Sequence, residues 1–563
     1  MKKKYGVALF AGVLGIFHGN AVAADVVTQG MEQALSSLKG ETAGPQLNRT
    51  LEMMERARVA KQIEEDRLRQ KTQIENKDMG TQQQESEKII VTLKKVEFNK
   101  SEVLADKDLQ SITNEYIKKD VSVNDLYEML GKINDLYAKG GYITCKAFLL
   151  PQKVNNGVVK ILLVEGKTGK VIVKGNKTTK ENYIKKRVKL PGGKIVNLNE
   201  LNQQMMLFNG TNDVQLRIML QAGEQSGTTD FVLTAFEPQQ LNSTLFSDNA
   251  GNYTSGMYRL GYFYNIKSIS GMRDSLNLGM IGSDGTKAFS AVYSVPISSS
   301  GTKITLGFSS NATEIVRGEI KDAGLKIKGH STAYTVNITQ PFIVNDTTRS
   351  EFGLEYNHQS SKSSFEGFEY VRDVVRDLNP YFSHTSYGKS HLFYQKHSYS
   401  LFGSYSGISS NIDIKPVHYY KFNSYYQKAY RNGQMFSNHI DAQYNQGYAL
   451  PSSRQFYIGG VNSVRGYRES YLSGERGFST SFEYQVPISK DRKHNAFIFY
   501  DTGHVGGEAA FDDHILHGAG FGVKSSWNKH IYSTVSMGFP LVRTLNEQEV
   551  GRTRIHFMIS GQF

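Results

Sequence analysis

The chain has 563 residues, 39% of them hydrophobic, and a mean hydropathy of −0.42. It is too polar for a bundle of membrane helices, each needing about 20 consecutive apolar residues, and its one cysteine, Cys145, excludes a disulfide framework, a cysteine zinc site and an iron–sulfur cluster. The formal charge of +13 is scattered and locally dense only from Lys174 to Lys194, so it reads as a solvated surface, with no nucleic-acid partner.

The N-terminus carries Lys2, Lys3 and Lys4, an apolar run from Gly6 to Phe17, and the small-x-small pattern Ala21-Val22-Ala23. These are the regions of a secretory signal peptide (residues 1–23), so the mature chain is expected to begin near Ala24, outside the cytoplasm. Residues 45–72 follow as a predicted helix, with Pro45 near its start and no internal Gly or Pro. Its charges, among them Arg56, Arg58, Glu64 and Arg67, run all the way round, and Leu47, Leu51, Val59 and Ile63 make only a thin stripe. A helix polar on every face is either free in solvent or lodged in a polar, water-lined space. Residues 73–87 read as a hydrophilic linker within an N-terminal segment spanning 24–87.

Two similar units come next, at 88–166 and 167–239. The first reads as a strand (Ile89 to Phe98), helices at Ala105 to Ile117 and Val123 to Lys139, then strands Tyr142 to Leu150 and Gly157 to Val164. The second reads as a strand (Val171 to Val173), helices at Thr179 to Val188 and Leu198 to Phe208, then strands Val214 to Gln221 and Thr229 to Ala235. The repeated β-α-α-β-β order predicts two tandem α+β modules.

Beyond residue 240 helical periodicity gives way to alternation. Leu276, Leu278 and Met280 alternate with Ser275, Asn277 and Gly279; Ile304, Leu306 and Phe308 alternate with Thr305 and Gly307. Only 13 of the 62 Tyr and Phe residues precede residue 240. Alternation alone fits a soluble sandwich as well as a membrane barrel. Three features favour the barrel: an apolar face rich in Tyr and Phe, a last strand (Arg554 to Phe563) with Ile555, Phe557, Ile559 and Phe563 on one face, and the rule that only helices and closed barrels span lipid. At about 20 residues per strand and connection, residues 240–563 predict a β-barrel membrane protein of about 16 antiparallel strands.

Several motifs now converge. Gly141-Tyr142-Ile143-Thr144, Leu150-Pro151-Gln152, Asn156-Gly157 and Val164-Glu165-Gly166 resemble the end of a POTRA module. Asp248-Asn249 and Gly251 to Gly256 resemble the first barrel strand of two-partner secretion transporters. Phe456-Tyr457-Ile458-Gly459-Gly460 and Val464-Arg465-Gly466-Tyr467 resemble their long loop with a VRGY/F motif, and Phe499-Tyr500-Asp501-Thr502-Gly503 resembles their F-x-D-x-G strand. As a set, covering essentially the whole mature chain, these resemble the TpsB (type Vb) family of the Omp85 superfamily. The resemblance implies two periplasmic POTRA modules, a 16-stranded barrel in the outer membrane, and a plug helix in its lumen, fitted by residues 45–72. It also implies insertion by the barrel-assembly machinery, with the terminal Phe563 as outer-membrane signal, and function as a monomer. The cargo would be one large exoprotein with an N-terminal secretion domain: a haemolysin, an adhesin or a contact-dependent inhibition toxin.

The resemblance places Arg465 at the tip of an in-folded loop and Asp501 on the inner wall. A guanidinium offers a rigid fork of donors to a carboxylate, and charges withdrawn from water persist only when paired. Arg465 and Asp501 are therefore the expected lock, in the setting of Val464, Gly466, Tyr467, Phe499 and Gly503. The competing reading is a turn arginine beside an unrelated strand-end aspartate. Gly518-Ala519-Gly520-Phe521-Gly522 mimics a nucleotide loop but runs into a strand, which favours close backbone packing. No catalytic constellation, metal-ligand spacing or cofactor motif stands out among the 14 histidines or elsewhere, and Cys145 reads as a core residue. Exposed sheet edges of the modules could receive an extended segment of a partner, steered by Lys174, Lys185, Lys186 and Arg187; a plain solvated basic face is the alternative. The rival functions are an Omp85-type assembly factor, a membrane-embedded enzyme and a plain porin.

Overall fold

The computed structural model describes residues 43–68, 74–76, 90–405, 415–416, 418–446, 449–507, 514–545, 548–549 and 552–563. The expected signal peptide and most of the expected linker lie outside these. The chain divides into two compact units, one built from the modules together with Gly271–Arg273, the other from the N-terminal helix and the remaining residues beyond 238. The helix, α1, spans Ala43–Leu68.

The modules repeat one topology. In the first, β2 (Ile90–Thr92) and β3 (Lys95–Phe98) precede α2 (Asp106–Asn114), β4 (Asp120–Ser122), α3 (Val123–Lys139), β5 (Cys145–Leu149) and β6 (Val158–Glu165). In the second, β7 (Lys167–Lys174) precedes α4 (Glu181–Arg187), α5 (Leu198–Thr211), β8 (Gln215–Ala222) and β9 (Thr228–Phe236). In both, the opening strand lies parallel to the closing one, β3 on β6 and β7 on β9, while the strand between pairs antiparallel. A further short strand, β1 (Ile74–Asn76), lies parallel on the outer edge of β8.

Each module closes an ordinary apolar core. Helix α3 starts at a capping box, Ser122 and Asp125 exchanging bonds with each other's backbone N–H. It buries Leu126, Met129, Leu130, Ile133 and Tyr137, spaced at three and four residues so that one face meets the sheet. Cys145 belongs to this core, and burial pushes its thiol up to about 11. The single strand expected from Ile89 to Phe98 is two. Leu93, fully buried, turns inward; Lys94 N then donates to Gly157 O at 2.8 Å, and β2 pairs with β4, a strand that alternation does not reveal. The helix expected to reach Ile117 stops at Asn114, and Lys118 beyond it turns with a positive φ of 61°.

The second unit inverts that rule. Sixteen antiparallel strands close a barrel, the first (Leu241–Asp248) pairing with the last (Arg554–Gln562). The ninth and tenth strands are interrupted: His391–Tyr399 resumes as Phe402–Tyr405, and Lys415–Pro416 precedes Tyr420–Ala429. Outward side chains are large, apolar and exposed: Leu306 is 49% exposed and Ile498 63%. Aromatic rings pack across neighbouring strands, Phe289 on Phe308 and Phe308 on Tyr334. The inward positions are polar and buried, including Asn311, Ser331, Gln359, Asp377, Asp441 and Asp501. An apolar outside and a polar inside suit a surface facing lipid. Among the described residues no helix is long and apolar enough to cross a membrane.

Candidate functional site

Between the eleventh strand (Met435–Tyr444) and the twelfth (Arg476–Pro487) the chain makes a long connection folded against the inner wall. It enters through a 3-10 turn at Ser452–Arg454 and forms a two-stranded ribbon, Phe456–Ile458 on Leu472–Gly474. The ribbon has its own small core: Ile458, Val464 and Tyr467 pack with Val505 and Leu516 of the wall. The fully buried Tyr467 donates its hydroxyl to His517 O (2.8 Å) or Val542 O (3.0 Å) and accepts from Val542 N.

At the tip Arg465 meets Asp501 on the thirteenth strand (His494–Gly506). Its Nε donates to Asp501 Oδ2 at 2.8 Å, its Nη2 to Oδ1 at 2.9 Å, and its backbone N–H to Oδ2 at 3.0 Å. Asp501 is fully buried and Arg465 nearly so. This bidentate geometry is the strong form of a charge-assisted bond. The guanidinium lies 3.4 Å from the centroid of the Phe499 ring, so one face is covered by π density. Nη1 also meets Glu483 at 3.2 Å and Nη2 donates to Ser481 Oγ at 3.0 Å, while Lys524 pairs with Glu483.

Glycines make room for the tip. A β-carbon on Gly518 would lie 2.1 Å from the carbonyl oxygen of Arg465, and one on Gly538 would lie 2.7 Å from Gly466 N. Gly518 of the glycine-rich run is therefore a recess for the loop backbone, while Gly520 and Gly522 make room for the rings of Phe499 and Phe497. Gly466 itself has a φ of +99° with the chain at Pro540 against it, so a side chain there meets both strain and a wall. Gly503 faces Ile458 and Val464.

Helix α1 sits among inward-facing side chains of the same barrel. Asn311 Nδ2 donates to Ala43 O at 3.2 Å, Gln46 Nε2 to Ser255 Oγ at 3.0 Å, and Arg56 pairs with Asp441 at 2.6 Å. It also touches the loop: Asn48 donates to Ser453 O, Arg49 to Ser470 Oγ, and Arg56 Nη1 to Asn462 O at 3.2 Å. The stripe is less thin than its leucines indicate. Leu47 is fully buried and Leu51 half-buried, and Met53 and Met54 pack against Phe246, Ile281 and Ala288.

Arg465, Val464, Gly466, Tyr467, Phe499, Asp501 and Gly503 thus come together, as do Leu47 and Arg56 with the barrel interior. The side chains of Arg58, Glu64 and Arg67 lie outside the described residues. The basic cluster disperses: Lys185 pairs with Glu181, Arg187 stacks 3.6 Å over Tyr183, and Lys174 and Lys186 are exposed. Phe563 exposes its ring and bonds its backbone N–H to Ser243 O at 2.9 Å. Sequence reasoning missed Ser481, Glu483 and Lys524, although each falls on the inward phase of its strand, where an acid or a lysine is the signal. It also missed Arg454 and Asp377, joined at 3.1 Å; the irregular turn that carries Arg454 has no period to read.

The profile of the family described as haemolysin secretion/activation protein ShlB/FhaC/HecB matches residues 227–525, and that of the ShlB-type POTRA domain matches residues 91–166. The heme/hemopexin transporter protein HuxB of Haemophilus influenzae is 24% identical over 72% of this chain and 74% of its own length. The outer membrane transporter CdiB of Dickeya dadantii is 22% identical over 80% of this chain and 83% of its own. Among solved structures, CdiB from Acinetobacter baumannii superposes with a TM-score of 0.64 at 19% identity, covering 94% of this chain and 99% of that one. BamA from Haemophilus ducreyi, lacking POTRA domains 1–3, gives 0.50 at 13% identity, covering 84% of this chain and all of that one.

Proposed function

The chain belongs to the haemolysin secretion/activation family of the ShlB/FhaC/HecB type, and from that premise we propose how its parts divide the export of a partner protein. It is an outer-membrane transporter of the two-partner secretion kind, with its POTRA modules in the periplasm. The observation that carries the division of roles is the polar seat of α1. Among the described residues the helix lies in the barrel on hydrogen bonds, the Arg56–Asp441 and Glu52–Lys421 ion pairs, and the apolar contacts of Leu47, Met53 and Met54. Such contacts exchange readily for water, so the helix is a removable plug, whereas the module cores are permanent. The Arg465–Asp501 pair is the lock that holds the loop while the plug leaves.

Cargo is one large exoprotein with an N-terminal secretion domain, taken up unfolded by the modules through strand addition. The edge of β8 already carries β1 and the start of β7 is bridged by Ile195, so the open edges among the described residues include those of β3, β5 and the rest of β7. No nucleotide site figures in this scheme; folding of the cargo outside supplies the drive. Phe563 serves recognition by the barrel-assembly machinery, and the transporter works as a monomer in the bilayer. The rival assembly-factor reading has only the fold likeness to BamA in its favour.

The test is export of a large exoprotein, which this reading expects to be encoded by a gene neighbouring this one. Deleting residues 90–165 should abolish its appearance in the medium while the barrel stays heat-modifiable in the outer membrane. Export at the normal level would remove the first module from the cargo path.

A further inference from the structure

The loop that ends in the Arg465 lock is held at its root by a different charge. Arg454 closes the 3-10 turn at Ser452–Arg454 and is buried, only 6% exposed. Its Nη2 meets Asp377 Oδ1 on the eighth strand (Phe368–Tyr387) at 3.1 Å, and Asp377 is itself 1% exposed. Asp377 Oδ2 accepts from Tyr419 OH at 2.9 Å and from Asn379 Nδ2 at 3.0 Å. A charge withdrawn from water this fully requires its partner. The second arm, Nη1, donates to Gln359 Oε1 on the seventh strand (Thr348–Phe365) at 2.5 Å.

The same Gln359 amide turns its other end to the helix. Its Nε2 donates to Gly44 O, in the first turn of α1, at 3.3 Å, and to Ser331 Oγ at the same distance. One residue before Arg454, Ser453 O accepts from Asn48 of the helix. Helix and loop root therefore meet at one buried point of the wall, several strands away from the tip lock. The two anchors also differ in form. Arg465 is bidentate on Asp501, whereas Arg454 meets Asp377 with one nitrogen, and its Nε has no partner among the described residues.

We propose that Arg454, Asp377 and Gln359 form a second, coupling anchor, through which the loop root holds the plug helix in the lumen and the helix holds the root. Arg454 is a positioning residue, acting on the helix through Gln359. The single-armed root gives way first, and the bidentate tip keeps the loop on the wall while the helix departs. The inference rests on the plug reading above but needs no cargo, so its test separates the two.

Purified full-length variants in planar bilayers provide that test. Gln359→Leu keeps the ion pair and removes the amide's bonds to Arg454 and to Gly44 of the helix, and should raise the fraction of time in the high-conductance state about tenfold. Arg454→Gln should raise it to a similar degree. The double variant should add little, since both remove one linkage. Arg454→Lys keeps the charge for Asp377 but reaches only one partner, so it should assemble like the parent and still open more often. If Arg454→Gln fails to assemble, Gln359→Leu and Arg454→Lys still decide. Open-state occupancy at the parental level in those two overturns the proposal. So does full additivity of Gln359→Leu with Arg454→Gln, which would make them separate contacts. Normal cargo export together with raised occupancy would support the anchor, and the same conductance result with no export at all would fault only the secretion reading.

Discussion

The two units of this chain obey one rule with opposite signs. In the first module Met129 and Ile133 are fully buried and Lys146 and Lys160 point outward. In the barrel Leu306 and Ile498 are exposed while Asn311 and Asp501 are fully buried. Apolar surface goes where water is absent, and for the barrel that place is outside. The difference bears on function, because a polar interior holds its contents by exchangeable bonds. A protein-conducting path can then be stoppered by a helix without gluing the stopper in.

Each contrast can be broken by substitution. The largest effect is expected inside the barrel, at the Arg465–Asp501 pair. With Asp501 fully buried, no water screens it, so Arg465→Ala should cost about 3–5 kcal/mol of loop anchoring. Asp501→Ala should cost less, because Arg465 keeps Glu483 and Ser481 as partners. Export of the partner protein should fall for both and further for Arg465→Ala; equal losses would mean that Glu483 and Ser481 carry nothing.

Inside a module the analogous change is apolar. Met129→Ala should destabilise the first module by about 2–5 kcal/mol through lost burial and a cavity. Hydrogen exchange should show α3 opening earlier while the barrel's protection is unchanged. Spread of the effect into the barrel would mean that the units do not fold separately.

On the outer wall, Leu306→Arg should destabilise the barrel in proportion to its depth in the lipid, up to about 2–4 kcal/mol at the midplane, measured by urea titration in lipid vesicles. The same change on a water-facing surface is nearly neutral, so a cost below about 0.5 kcal/mol would place that strand face in water. The smallest effect concerns Cys145. With its thiol raised from 9.0 to about 11 by burial, the thiolate at pH 8 is scarcer by about a hundredfold, and alkylation should be slow in the folded chain. Fast labelling at native pH would mean that the module core opens readily.

Much of this organisation was legible in the sequence because it rests on periodicity. Val123 to Lys139 was readable to the residue, since Ser122, Asp125 and the apolar spacing all agree. The strands of the barrel followed from alternation, and Arg465 and Asp501 from motif and phase together. Boundaries set by tertiary contacts were not legible. The break at Leu93 and the ribbon of β2 with β4 depend on a core that no local pattern announces. The anchor at Arg454 was hidden for the same reason: its partners, Asp377 and Gln359, are 77 and 95 positions away. The basic run from Lys174 misled in part, because Arg187 and Lys185 are engaged within their own helix.

The seam that closes the barrel sets a timetable. Phe557 N donates to Asn249 Oδ1 across 308 positions, and the final residue completes the ladder at Ser243. Contacts so distant in sequence form late, because the intervening chain must first be confined. Until the last strand arrives, both edge strands carry open rows of amides, the condition in which sheets join the wrong neighbour. Until that strand pairs, the unclosed sheet has two exposed edges, so the assembling barrel needs a partner that covers them.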